Sequence, residues 1–102
     1  MAPDLKLFKP LKDESQFRTW LDEFKIVCYG TGLGHVIDWN YMPTPYEMID
    51  FVNRNVWLFT VLNHVCKTSA TRSIINQVKN QKDGRLAFRM ICEEFDISTT
   101  AD

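Results

Sequence analysis

What the sequence lacks narrows its class before any pattern is read. No apolar run approaches the roughly 18 to 20 residues that span a bilayer, so a soluble chain with no membrane partner is expected. Cysteine is scarce: Cys28, Cys66 and Cys92 are odd in number and far apart, with no secretory-type leader and no Asn-x-Ser/Thr sequon beside them. That combination reads as a reduced, intracellular protein, with the cytoplasm as the expected compartment. Net charge is nearly absent, at −1, which disfavours a dedicated nucleic-acid-binding module, whose footprint is normally strongly basic. Internal repeats, low-complexity segments and convincing period-two stretches are missing as well.

What is present fits one small globular domain. A chain of 102 residues that is 45% apolar and 25% charged has enough material for a single core and too little for a second lobe. Seven Phe, three Tyr and three Trp are a heavy aromatic load, supplying buried area to the core or to a partner. Charge is segregated along the chain. Residues 13–66 carry seven acids against Arg18, Lys25 and Arg54, whereas residues 67–89 carry six bases against Asp83 alone. Such polarity suits head-to-tail contact between copies, a basic edge meeting an acidic one, and weak attraction to RNA phosphate; the plainer reading is a set of solvated helix faces.

The pattern of apolar residues predicts an all-α, compact bundle of four to five helices. Residues 1–12, with Pro3 and Pro10, read as an N-terminal arm that tucks Leu5, Leu7, Phe8 and Leu11 onto the body, a strand near Lys6 to Phe8 being the alternative. The helical core is expected over 13–96 and a frayed tail over 97–102. Asp13 or Ser15 starts a helix in which Phe17, Trp20, Leu21, Phe24, Val27 and Cys28 share one face. Gly30, Gly32 and Gly34 stop it. A short turn at His35 to Asp38 leads into a loop, Trp39 to Pro43, unusually rich in large side chains. Thr44-Pro45-Tyr46-Glu47 is a capping-box start for a long central helix with a stripe of Met48, Ile49, Val52, Val56, Phe59, Leu62 and Val65. A break near Asn53 to Asn55 is allowed. Ser69 or Thr71 caps a short helix around Ile74, Ile75 and Val78, and Asp83 caps a last one burying Leu86, Ala87, Met90, Ile91 and Phe95, with Phe88 to one side.

No constellation of residues supports a catalytic centre. The Gly30-Thr31-Gly32-Leu33-Gly34 cluster lacks both the G-x-G-x-x-G spacing and the preceding strand of a dinucleotide loop. His64 and Cys66, two apart on a helix, face different sides and complete no metal-ligand spacing. Cys28 falls on an apolar stripe, where a thiol packs as a small hydrophobe, and no third group orients His35 beside it. The expectation is therefore a non-enzyme with no cofactor, no metal and no small-molecule substrate. The candidate surfaces are the aromatic loop, Trp39, Tyr41, Met42, Pro43 and Tyr46, and a basic edge of Arg72, Lys79, Lys82 and Arg85.

Two segments give the sequence a family likeness. Phe17-Arg18-Thr19-Trp20-Leu21-Asp22-Glu23-Phe24, followed by Thr31-Gly32-Leu33 and Val36-Ile37, is one. Asp83-Gly84-Arg85-Leu86-Ala87-Phe88-Arg89-Met90-Ile91-Cys92-Glu93-Glu94-Phe95 is the other, with Trp57 to Cys66 in the place of a long middle helix. Together they resemble the N-terminal, capsid-type domain of Gag polyproteins from copia-like long-terminal-repeat retrotransposons, over residues 15 to 96. Phe88 stands where Trp is commoner in that family, and the zinc knuckle of many Gag proteins is not in this sequence. The resemblance implies a capsid N-terminal-lobe-like fold that self-associates into rings and shells around RNA, as a virus-like particle in the cytoplasm. The chain itself would be the main partner, with weak non-specific RNA contact. A different class of function stays open: a helical adaptor domain binding a host peptide or partner helix in a groove lined by Trp39, Tyr41 and Trp57.

Overall fold

A computed structural model describes residues 4–95. Five α-helices carry the fold: α1 (Phe17–Gly30), α2 (Gly34–Ile37), α3 (Met48–Val65), α4 (Ser69–Val78) and α5 (Gly84–Glu94). No strand occurs among the described residues, so the all-α class stands; the expected tail at 97–102 lies outside them.

The turns leading into α1 and α3, and the starts of α4 and α5, use polar caps that the sequence supplies, whereas α2 follows Leu33 with no side-chain cap. Asp13 accepts from the Ser15 N–H and hydroxyl, opening a 3₁₀ turn that runs into α1. Thr44 and Glu47 form the expected capping box ahead of α3, with Pro45 at the first position. Thr68, rather than Ser69 or Thr71, caps α4 by accepting from Thr71 N–H. Asp83 caps α5 by accepting from Leu86 N–H. Between α1 and α2, Gly32 takes φ +81°, a left-handed turn that an L-residue resists, and its carbonyl accepts from Arg54 at 3.0 Å.

The core is continuous across the five helices. In α1, Phe17, Trp20, Leu21, Phe24 and Cys28 are buried, as their spacing predicts. Helix α3 keeps its predicted face only in its second half, where Phe59, Leu62 and Val65 are buried together with Leu58 and Val61. In its first half Phe51 is the inner residue, while Met48, Ile49 and Val52, expected in the core, point to solvent. Apolar residues surround the first half of α3, so periodicity leaves its orientation open and the partner helix decides it. That partner is α5, which packs more closely on α3 than on any other element. Gly84 makes the approach possible, because a Cβ there would lie 2.5 Å from Phe59 N and 2.6 Å from the Asn55 carbonyl. Helix α3 is unbroken through Asn53 to Asn55; Asn55 faces inward and bonds the start of α5.

The last helix is also rotated from expectation. Phe88 is buried and stacks on Phe24 with ring centroids 5.8 Å apart, while Leu86 and Met90 are only half-buried. Phe95 lies flat against Phe17 at 4.2 Å, closing α5 onto α1.

The arm is pinned rather than loose. Leu11 donates to the Val65 carbonyl and accepts from Lys67 N–H, a one-residue parallel bridge beside Cys66. Trp20 donates its indole N–H to the Lys9 carbonyl at 2.7 Å. Phe8 and Leu11 are buried by this anchoring, whereas Leu7, on a 3₁₀ turn at Leu5–Leu7, is left 53% exposed.

Candidate interaction surfaces

The aromatic loop and the basic edge meet at one residue, Arg85. From the first turn of α5 its guanidinium crosses to α2 and the loop, donating to the carbonyls of Val36 at 3.0 Å, Asp38 at 2.5 Å and Tyr41 at 2.6 Å. The Val36 carbonyl belongs to the last turn of α2, where no intrahelical donor exists, so Arg85 caps that short helix. The cation sits 4.9 Å from the Phe51 ring and 5.6 Å from Trp39. Partial burial lowers the pKa of Arg85 from its ordinary value, with Asp38 and Asp83 pulling the other way, and the group stays charged. Arg85 is therefore not part of a free basic edge: its Nε and one terminal nitrogen are engaged inside the chain.

Arg72 is used in the same manner. It donates to the Asn63 carbonyl at 2.8 Å and to Asn63 Oδ1 at 3.0 Å, closing the C-terminal end of α3. Of the four basic residues singled out by sequence, Lys79 and Lys82 are exposed and make no ion pair among the described residues. The planar fork of Arg fits carbonyl-capping geometry where Lys does not, which separates the two arginines from the two lysines.

The loop divides similarly. Trp39 is half-buried between two cations, Arg85 and Arg89, the latter 4.2 Å from its ring. Tyr41 stacks on Phe51 at 6.1 Å and meets the edge of His35 at 5.2 Å. Its hydroxyl donates to Glu47, a bond that raises the Tyr41 pKa and lowers that of Glu47, with the Thr44 N–H as the next contributor to the lowering. Trp57 lies under Arg54, 5.7 Å away. Trp39, Tyr41 and Trp57 thus already have partners within the chain. Pro43 is half-buried, and Met42 and Tyr46 turn outward.

Two apolar surfaces escaped the sequence reading. The first extends Met42 and Tyr46 onto the outer side of α3: Tyr46 is fully exposed and Ile49 80% exposed, and Val52 and Val56 continue the line at i+3 and i+7 from Ile49. The second is a groove of about 250 Å³ between the arm and α1, lined by Leu7, Phe8, Trp20, Phe24, Ile26 and Val27, with the Lys9–Glu23 ion pair (3.1 Å) on its rim. Ile26 is 71% exposed. An apolar residue off the buried stripe of α1 was the available signal for it.

Among the described residues no group of three metal-binding side chains comes together, and no helix is long and apolar enough to cross a membrane. The three thiols are buried, and desolvation pushes Cys28 and Cys92 up to about 12 and Cys66 up to about 11.

The class these features define is a five-helix, all-α domain with two solvent-facing apolar surfaces. No family model matches the chain, and no curated protein or solved structure matches it either.

Proposed function

We propose that the domain is a self-associating structural module, a capsid-type lobe of a retrotransposon Gag protein or a domesticated derivative, contributing to particle assembly around RNA. One observation carries the self-association: Ile49 and Val52 on the outer side of α3, with Met42 and Tyr46 in the segment just ahead of it, are apolar and solvent-facing, on a helix whose inner side is locked in the core. Exposed apolar side chains gathered on one side of a helix mark a candidate contact surface. The Gag assignment adds the resemblance of residues 15 to 96, and the buried stripe Phe17, Trp20, Leu21 and Phe24 falls within its first segment. RNA enters weakly in this reading, through Lys79 and Lys82, since both arginines of the basic edge are occupied. The test is sedimentation or light scattering across concentration and salt. Mass that grows with concentration supports the reading; a strict monomer up to about 1 mM, the weak end of specific association, overturns it.

A further inference from the structure

We propose that the fold directs oxidation by peroxide to Met42 and Met48, and that conversion of these two thioethers to sulfoxides switches off the apolar surface on which they lie. The switching rests on the self-association proposed above and supplies its regulation. The choice of target rests on the positions of the sulfur atoms alone.

The chain has four methionines and three cysteines, and the fold treats them unequally. Met42 is 78% exposed and Met48 45% exposed. Met90 is half-buried against the core, and the three thiols are at most 1% exposed; Met1 lies outside the described residues. Access is one part of the contrast and protonation is the other. A thiol reacts with peroxide as its thiolate, and burial pushes Cys66 up to about 11 and Cys28 and Cys92 up to about 12, so all three keep their protons at neutral pH. A thioether has no proton to lose, and access alone governs it.

Both accessible thioethers belong to the apolar surface. Met42 stands in the segment ahead of α3; Met48 opens the helix, next to Ile49 and one turn before Val52. In the reaction the Sδ lone pair attacks one peroxide oxygen, an S–O bond forms and the O–O bond breaks. The departing hydroxide takes the proton of the transferred oxygen and leaves as water; sulfur loses two electrons and the peroxide gains them. The product is a polar side chain, which any contact would have to desolvate or hydrogen-bond. Neither residue is in the buried core, so the change falls on the surface and not on packing.

The experiment treats the full chain with hydrogen peroxide at neutral pH, maps the added oxygen peptide by peptide, and follows association by light scattering, with a melting curve as the check on folding. Met42 and Met48 are expected to oxidise ahead of Met90, with all three thiols still free on denaturation, and association is expected to weaken by about tenfold or more, the scale of an interface anchor. Methionine sulfoxide reductases should restore it. The Met42→Leu/Met48→Leu double variant, which keeps the surface apolar, should associate like wild type and ignore peroxide. Oxidation of Met90 or the thiols as fast as Met42 overturns the choice of target. Sulfoxides at 42 and 48 with association unchanged, or a double variant as peroxide-sensitive as wild type, overturn the switch while self-association stands. A wild-type chain that never associates removes the self-association reading and the switch with it, and the peptide map still decides the target.

Discussion

Asn55, in the middle of α3, and Asp83, the cap of α5, are joined side chain to side chain at 2.9 Å. The same Asn55 amide accepts the Arg85 N–H at 2.7 Å, so one side chain holds both the cap and an orphan donor of the α5 first turn. Asn55→Ala removes both bonds and leaves that N–H half-buried without a partner. The expected loss is about 1–2 kcal/mol. Thermal melting reads it as a drop of roughly 4–8 °C per kcal/mol in a domain of this size; an unchanged melting point would show that water replaces the amide.

Gly84 sits over the same crossing, and there two effects of an alanine oppose each other. Alanine favours a helix interior over glycine by about 1 kcal/mol, and by less at the first helical position that Gly84 holds. Its Cβ, however, would lie 2.5 Å from Phe59 N and 2.7 Å from Leu58 Cβ, and α3 backbone cannot rotate aside as a side-chain end can. Overpacking of this kind costs about 1–3 kcal/mol or more. Gly84→Ala is therefore expected to destabilise in denaturant titration, whereas Gly30→Ala, with nothing within 4 Å of the new atom, is expected to be neutral or mildly stabilising. The reverse order would contradict the close approach of α5 to α3.

For Arg85 the informative change keeps the charge. A lysine ammonium cannot reach the separated carbonyls of Val36, Asp38 and Tyr41 that the guanidinium fork spans. Arg85→Lys should cost on the order of 2 kcal/mol through carbonyls left unbonded and free the loop around Trp39. Faster proteolysis between 38 and 47 and a shifted tryptophan emission would report it. A lysine variant with wild-type protection would mean that the positive charge, not the fork, holds the loop.

The thiols predict alkaline instability. An unfolded cysteine ionises near its ordinary 9.0, whereas Cys28 and Cys92 hold their protons to about 12 and Cys66 to about 11 in the fold. Between those values the native state binds more protons than the unfolded state, so unfolding free energy falls as pH rises. The contribution is intact below pH 9 and fades as pH climbs through the folded values, with a slope of up to roughly 1.4 kcal/mol per pH unit for each thiol. The melting temperature should hold steady to about pH 8.5 and then decline; replacing Cys28 by Ala should flatten part of that decline while costing stability at neutral pH. Native-state labelling by thiol reagents should be slow at pH 8, being gated by opening.

How much of this was legible in the sequence depends on whether one helix face or several were apolar. In α1 a single face is apolar, and Phe17, Trp20, Leu21, Phe24 and Cys28 are buried as spacing predicts. In α3 both sides of the first half are apolar, and the choice between Ile49 and Phe51 is made by Gly84 and Asn55, contacts about thirty residues apart in sequence. Asn55 did carry a signal: an amide placed four residues after Phe51 and three before Leu58 is a polar atom on an inner face, which requires a partner. Arg85 carried none. In a basic run it counts as charge, and nothing local shows that the carbonyls it meets lie some 44 to 49 residues upstream. The groove was illegible for a similar reason, since its outer wall is an arm whose position is fixed by a bridge to the far end of α3.

That bridge makes the arm a latch. Helices α3, α4 and α5 follow one another in sequence and pack on each other, so they form a kernel built from contacts of modest chain separation. Leu11 pairs with Val65 and Lys67 across half the chain, an ordering cost met by two backbone bonds, the Trp20 indole bond and the burial of Phe8 and Leu11. Because the arm is one wall of the apolar groove, that surface exists only while the latch is shut.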